Sequence, residues 1–275
     1  MPKEKQRLDA ALVERGLIDT RQKAKAVIMS GVVYVDGQKA DKAGHFIAPK
    51  NTVEVRSNPL KYVSRGGLKL EKAINCFEID PSGLTVIDVG ASTGGFSDVL
   101  LQNGAAFVYA VDVGYGQLAW TIRNDPRVTV FERTNIRNMV PGDIPALADM
   151  AVIDVSFISL KLVLPPVYNL TKPGARVVCL VKPQFEAGRE KVGKKGVVRD
   201  PETHKQVLRD FLQNAQNAKF GVLDITYSPI TGPEGNIEFI GLIEKDEDSN
   251  VGADSVRPTI DIDKLVEQAH AEMTS

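Results

Sequence analysis

TVIDVGASTGGFSDVLLQNG spans residues 85–104 and decides how the rest of the chain is read. An apolar run of strand length reaches an acid and a glycine, crosses a glycine-rich turn and opens at once into a helix-forming segment. Such a strand–loop–helix begins an α/β sheet, and the carboxyl end of its strand faces the crevice where nucleotide-like ligands bind. Gly90 permits the tight turn, while Gly94 and Gly95 let backbone approach a ligand and let the helix pack close to the strand. The spacing G-x-x-x-G-G is not the dinucleotide fingerprint G-x-G-x-x-G, and no lysine–hydroxyl pair follows it as in an ATP phosphate loop. Asp88, two residues before the first glycine, favours a cationic ligand over a pyrophosphate. S-adenosylmethionine, with its ammonium and sulfonium, has that charge. A second acid, Asp112 in AVDVGYG, closes the next strand, where it can take ribose hydroxyls. The plainer reading, a structural glycine turn, leaves Asp112 unexplained.

Outward from this unit, strands and helices alternate. Strands are expected at 85–90, 107–114, 128–134, 150–157, 175–183, 220–228 and 236–244, with helices such as FSDVLLQNG and THKQVLRDFLQNAQNA between them. Alternation predicts a mainly parallel sheet covered on both faces. The short TGPEG turn joins the last two strands, so that pair should be antiparallel.

Residues 1–65 carry 13 Lys+Arg against 7 Asp+Glu, although the whole chain has a net charge of -1. A basic piece on a mildly acidic body suggests a polyanion-binding module, the bland alternative being a solvated basic surface. RLDAALVERGL and DTRQKAKAVIMSG read as two short helices, the second with Ala24, Val27 and Ile28 on one face and Arg21 and Lys25 on another. VVYVDGQKA carries a hairpin signal at Asp36-Gly37, and TVEVRS follows as another strand. The predicted organisation is a small N-terminal α+β domain (1–57), a linker (58–67), an α/β domain (68–245) and an acidic, loose C-terminal tail (246–275) with one helix, IDKLVEQAHAEM. Two cysteines, Cys76 and Cys179, argue for a reducing compartment and against a disulfide scaffold or thiolate zinc site. The start lacks the apolar core of a signal peptide, and no apolar run has membrane-spanning length. The expectation is a cytoplasmic protein with no membrane partner and no metal.

Four charges fall at element ends. Asp154 ends MAVIDVSF, Lys182 ends ARVVCLVKP, Glu238 lies early in NIEFIGLIE, and Lys69 in SRGGLKLEKA heads the helix before the first strand. Each alone reads as the first solvated residue beyond a core segment. Together, behind a cofactor loop, they suggest a site.

DVGASTGGF resembles the cofactor loop of the FtsJ-type ribose methyltransferases. The resemblance implies that Asp88, Gly90, Ala91, Ser92, Gly94, Gly95 and Phe96 line the methionine end of S-adenosylmethionine. It places Asp112 on the ribose, with Asn135 and Ile136 flanking the adenine. It also makes Lys69, Asp154, Lys182 and Glu238 the catalytic tetrad for methyl transfer to a ribose 2′-hydroxyl. In that tetrad Lys182 is the base, Asp154 orients it, and Glu238 fixes the lysines. The N-terminal piece resembles the alpha-L RNA-binding motif at Arg7-Leu8-Asp9, Leu12, Arg21, Ala24, Gly31, Val33, Val35 and Gly37, which implies phosphate contacts from Arg7, Arg21, Lys23 and Lys25. An alpha-L module followed by SRGGLKL, DVGASTGGF, IDVSFISL, LVKPQFE, GKKGVVRDP and GNIEF is similar to the TlyA family. That arrangement implies a Rossmann-like methyltransferase fold with an antiparallel last strand. It also implies action on cytidines of ribosomal RNA within ribosomal subunits, with Arg65 and the loop residues Arg189, Lys194 and Lys195 as further RNA contacts. Two other readings are a non-catalytic rRNA-binding assembly factor, disfavoured by the complete tetrad, and a membrane-lytic hemolysin, for which the sequence offers no spanning helix.

Overall fold

The computed structural model describes residues 5–29, 31–55, 61–246 and 260–273; residues 58–60 of the expected linker and 247–259 of the expected tail lie outside the described residues. Two compact units divide at Arg65 and Gly66.

In the first unit, β1 (Gln6–Arg7) leads into α1 (Leu8–Glu14), followed by α2 (Arg21–Met29), β2 (Val33–Val35), β3 (Gln38–Lys39), β4 (Phe46–Ile47) and β5 (Val53–Val55). The two helices pack through Leu8, Ala11, Leu12, Ala24, Val27 and Ile28, all buried. Asp36 and Gly37 both have positive φ, +49° and +78°, the conformation a two-residue hairpin turn demands. That turn joins β2 to β3, and β5 pairs with the other edge of β2.

The second unit begins with α3 (Gly67–Cys76), β6 (Thr85–Val89), α4 (Gly95–Gln102), β7 (Phe107–Val111), α5 (Trp120–Arg123) and β8 (Val128–Phe131). It continues through β9 (Ala148–Ile153), α6 (Leu160–Leu170), β10 (Thr171–Val181), α7 (Pro183–Glu186), α8 (Pro201–Asn217), β11 (Phe220–Tyr227), β12 (Phe239–Lys245) and α9 (Ile262–Met273). Seven strands form one sheet in the order β11-β12-β10-β9-β6-β7-β8. From β10 to β8 every pair is parallel, while β12 runs antiparallel to both β10 and β11. The strand order reverses at β6, flanked by β7 and β9, so the crevice beyond the carboxyl ends of these strands is the expected ligand position. Gly241 lies inside β12 because an added Cβ there would sit 2.6 Å from the Phe211 ring of α8. A glycine in a central strand marks such a close approach.

Most strands end earlier than their apolar runs suggest. Val113 and Phe157 extend two of those runs, yet they are 70% and 90% exposed, beyond the ends of β7 and β9. Apolar continuity there reflects residues facing the crevice, not further ladder. The expectation of a loose tail is also corrected for residues 260–273. There α9 buries Ile262, Val266 and Ala269 in the main core and packs on α8 and β11. Asp263 receives Lys205 at 3.0 Å, and Tyr227 donates to Glu272 at 2.6 Å.

Candidate active site

Four elements bring four charges together. Lys69 sits in the first turn of α3, the wrong end of a helix for a cation, since that terminus carries the positive end of the dipole. Its position is therefore set by partners elsewhere. Lys69 Nζ lies 2.5 Å from Glu238 Oε2 and 3.8 Å from Asp154 Oδ2. Asp154, one residue past β9, holds Lys182 Nζ at 2.5 Å through Oδ1, and Lys182 is the first residue beyond β10. The result is an alternating chain, Lys182–Asp154–Lys69–Glu238, with two positive and two negative groups. Lys69 and Lys182 are each 7% exposed and Glu238 is 1% exposed. Removing one member of a buried pair leaves an uncompensated charge, so the four stand as a unit.

Two details differ from the sequence reading. Glu238 precedes β12 instead of lying within it, in the turn after Gly232. It also reaches Lys69 alone of the two lysines, with Lys182 held through Asp154. Supporting residues that the sequence did not single out are Gln184, Gly232 and Ser156. Gln184 Nε2 donates to Glu238 Oε1 at 2.9 Å, and Lys182 Nζ donates to Ser156 Oγ at 3.3 Å. Any Cβ at Gly232 would collide with the Glu238 carboxylate. Gln184 stands in LVKPQFE beside Lys182, a placement that only the fold turns into contact with Glu238.

A cleft of about 690 Å³ opens at the carboxyl ends of β6, β7 and β9 and reaches Asp154. Gly90, Ser92, Asp112, Asn135 and Ile136 line it, together with Gln117, Arg137 and Phe157. Ala91 borders a smaller void beside it. Asp88, Gly94, Gly95 and Phe96 are buried and do not line it. Gly90, at φ +87°, passes so close to the Asp154 backbone that a Cβ would lie 2.5 Å from its carbonyl oxygen. The glycine loop is thus shaped by the very strand end that carries a tetrad member. Gly94, at φ +92°, makes room for Leu118.

The donor set suits a ligand bearing positive charge and ribose hydroxyls. Asp112 accepts from Ser92 N at 2.7 Å and from Gly114 N at 2.6 Å, which leaves lone pairs on both oxygens. Asp88 is fully buried and accepts from Ser97 Oγ at 2.6 Å through Oδ2, while Oδ1 has no partner among the described residues. Burial, against the Ser97 bond, pushes the Asp88 carboxyl up to about 7. A cation above the loop would favour its charged form.

In the first unit, Arg7 and Arg21 converge on one buried carboxylate. Arg7 Nη2 lies 2.9 Å and Arg21 Nη2 3.4 Å from Asp9. The Arg7 guanidinium holds the Asp9 carboxyl below its ordinary range despite burial. Two cations share one anion, so the pair keeps a net positive charge. Lys23 bridges to Asp19 at 2.9 Å, and Lys25 and Arg65 are exposed. In the second unit Arg189, Lys194 and Lys195 are exposed on the loop between α7 and α8.

Sheet order, glycine loop and crevice define an α/β methyltransferase-type domain. Its sequence matches the FtsJ-like methyltransferase family over residues 62–245, and residues 6–53 match the S4 domain. The chain belongs to the FtsJ-like methyltransferase family, in its TlyA branch. It is 42% identical over 255 residues to the 16S/23S rRNA (cytidine-2′-O)-methyltransferase TlyA of Mycobacterium tuberculosis (strain CDC 1551 / Oshkosh), covering 92% of this chain and 95% of that protein. YqxC of Bacillus subtilis (strain 168), provisionally named an rRNA methyltransferase, is 49% identical, over 98% of this chain and 96% of its own. A solved structure from Streptococcus thermophilus, provisionally named a hemolysin, is 44% identical with a TM-score of 0.76, covering 100% of this chain and 98% of that one. Among the described residues no helix is long and apolar enough to cross a membrane.

Proposed function

We propose that this protein transfers the methyl group of S-adenosylmethionine to the ribose 2′-hydroxyl of cytidine in ribosomal RNA, acting on ribosomal subunits in the cytoplasm. The observation that carries the reading is the linked chain Lys182–Asp154–Lys69–Glu238, which meets the cleft at Asp154. When bound, S-adenosylmethionine supplies a methyl on a sulfonium, already a good leaving group. The protein's work is therefore alignment and proton removal. Asp112 takes the ribose hydroxyls, Asn135 and Ile136 flank the adenine, and the loop from Gly90 to Ser92 faces the methionine end, with Asp88 beneath it.

Lys182 receives the proton of the 2′-hydroxyl. Asp154 aims the lysine and offers the proton a route onward. Lys69, held by Glu238, braces the other oxygen of Asp154 and so fixes the carboxylate that aims Lys182. The S4 unit and the basic loop hold RNA by its phosphates, which positions it without reading sequence.

The test is labelled methyl transfer to ribosomal subunits from cells lacking the protein, followed by nucleoside mass analysis. The expected product is 2′-O-methylcytidine. A methyl found on a base would overturn the reading.

A further inference from the structure

Asn236 is 3% exposed and stands two residues before Glu238, in the turn that precedes β12. Both ends of its amide are spent on the loop between α7 and α8. Oδ1 accepts from Val198 N at 3.0 Å, and Nδ2 donates to Gly196 O at 2.9 Å. Its own carbonyl accepts from Gly232 N at 2.8 Å, the glycine that gives the Glu238 carboxylate its room. The loop beyond this clamp is a tight turn closed by Gly193 N to Val197 O at 3.0 Å and Gly196 N to Gly193 O at 2.8 Å. Lys194 and Lys195 project from that turn into solvent. One buried side chain therefore separates two exposed cations of the loop from a buried carboxylate.

We propose that Asn236 is a positioning residue that couples the basic loop to Glu238, so that RNA phosphates gripped by Lys194 and Lys195 set the carboxylate that holds Lys69. The proposal rests on the ribose methyltransferase reading. A buried amide with both ends bonded is stiff, and a pull at Gly196 displaces the Asn236 backbone, two peptide units from Glu238. The glutamate is also held by its own carbonyl, which accepts from Ser228 N at 2.8 Å, so a displacement there rotates its side chain and does not dissipate along the strand. An asparagine that merely stapled the loop would affect RNA affinity and folding, and would leave the turnover of bound RNA alone.

The test compares four full-length proteins on unmodified ribosomal subunits: wild type, Asn236→Ala, Lys194→Ala with Lys195→Ala, and the combined variant. Asn236→Ala is expected to lower kcat about 10- to 100-fold with little change in S-adenosylmethionine affinity. The loop variant is expected to lower kcat as well as raise KM for RNA, and the combination to lose no more kcat than Asn236→Ala alone. Additive losses in kcat, or a kcat within twofold of wild type for Asn236→Ala, overturn the coupling. Should the alanine variant fail to fold, Asn236→Asp decides. Its carboxylate keeps the acceptor for Val198 N, and only its protonated form restores a donor toward Gly196, so its rate relative to wild type should rise as pH falls. A constant ratio counts against the coupling.

Amide hydrogen exchange gives a readout independent of turnover. Added ribosomal RNA should protect both residues 193–198 and residues 236–240 in wild type, and only the former in Asn236→Ala. Joint protection in the variant, or no response at 236–240 in wild type, sinks the proposal. A wild type that shows the coupled protection but methylates no ribose would sink the functional reading alone.

Discussion

At the scale of single residues the site is a matter of charge held out of water. Lys182 carries the heaviest burden because the proposed chemistry asks it to take a proton, and among the described residues its carboxylate partner is Asp154. Lys182→Ala should lower methyl transfer about 10²- to 10⁴-fold, the range for a lost general base, and leave RNA affinity intact. Filter binding alongside a methylation assay checks both halves, and persistent methylation would reject the role of this residue. How far the site could be read beforehand follows from its residue types. Lys69, Asp154 and Lys182 each interrupt or cap an apolar segment, and a charge in such a place draws attention. Glu238 stood out in the same way, but the sequence could not reveal that a turn, not a strand, presents it. Gln184 and Gly232 carried no signal, because an amide and a glycine become informative only when a neighbour 54 residues away, or a carboxylate overhead, is known.

At the scale of elements, α9 shows where reading by composition fails. Its surroundings are acidic and polar, which suggests a solvated tail, yet three apolar residues at helical spacing seat it on α8 and β11. A pair of histidines completes the seat. His204 Nε2 faces the Val198 carbonyl at 3.2 Å, which can only accept, so that nitrogen carries the proton and Nδ1 accepts from His270 Nε2 at 2.9 Å. Protonating His204 would set two N–H groups against each other. Burial, reinforced by His270 and opposed by Val198 O and Asp200, lowers His204 from 6.5 to about 4. The folded value lies below the unfolded one, so this stability is present above about 6.5 and is lost as pH falls toward 4, on the order of 3 kcal/mol in all. Thermal melts across that range should show His204→Gln with a flatter pH profile than wild type. Parallel profiles would reject the histidine pair as the cause.

At the scale of the whole molecule, charge is divided between the units. Residues 1–65 are net basic and the remainder net acidic, so the second unit repels a polyanion except where its basic loop projects. Each phosphate contact releases counterions, so neutralising Lys25, Lys194 and Lys195 should flatten the salt dependence of RNA binding by about one unit of slope per lost contact. Titrations at several salt concentrations check this, and an unchanged slope would move the RNA contacts elsewhere. The α/β class was legible here because β6, its glycine loop and α4 are contiguous in the chain. The order of the sheet was not, since β12 lies between two strands that both precede it. That placement has a consequence for biosynthesis. Until residues 238–245 have been made, β10 and β11 cannot be joined, each presents an open edge, and Lys69 waits for a partner 169 residues downstream. A growing or truncated chain is thus adhesive, and one late segment both seals the sheet and delivers the partner of Lys69.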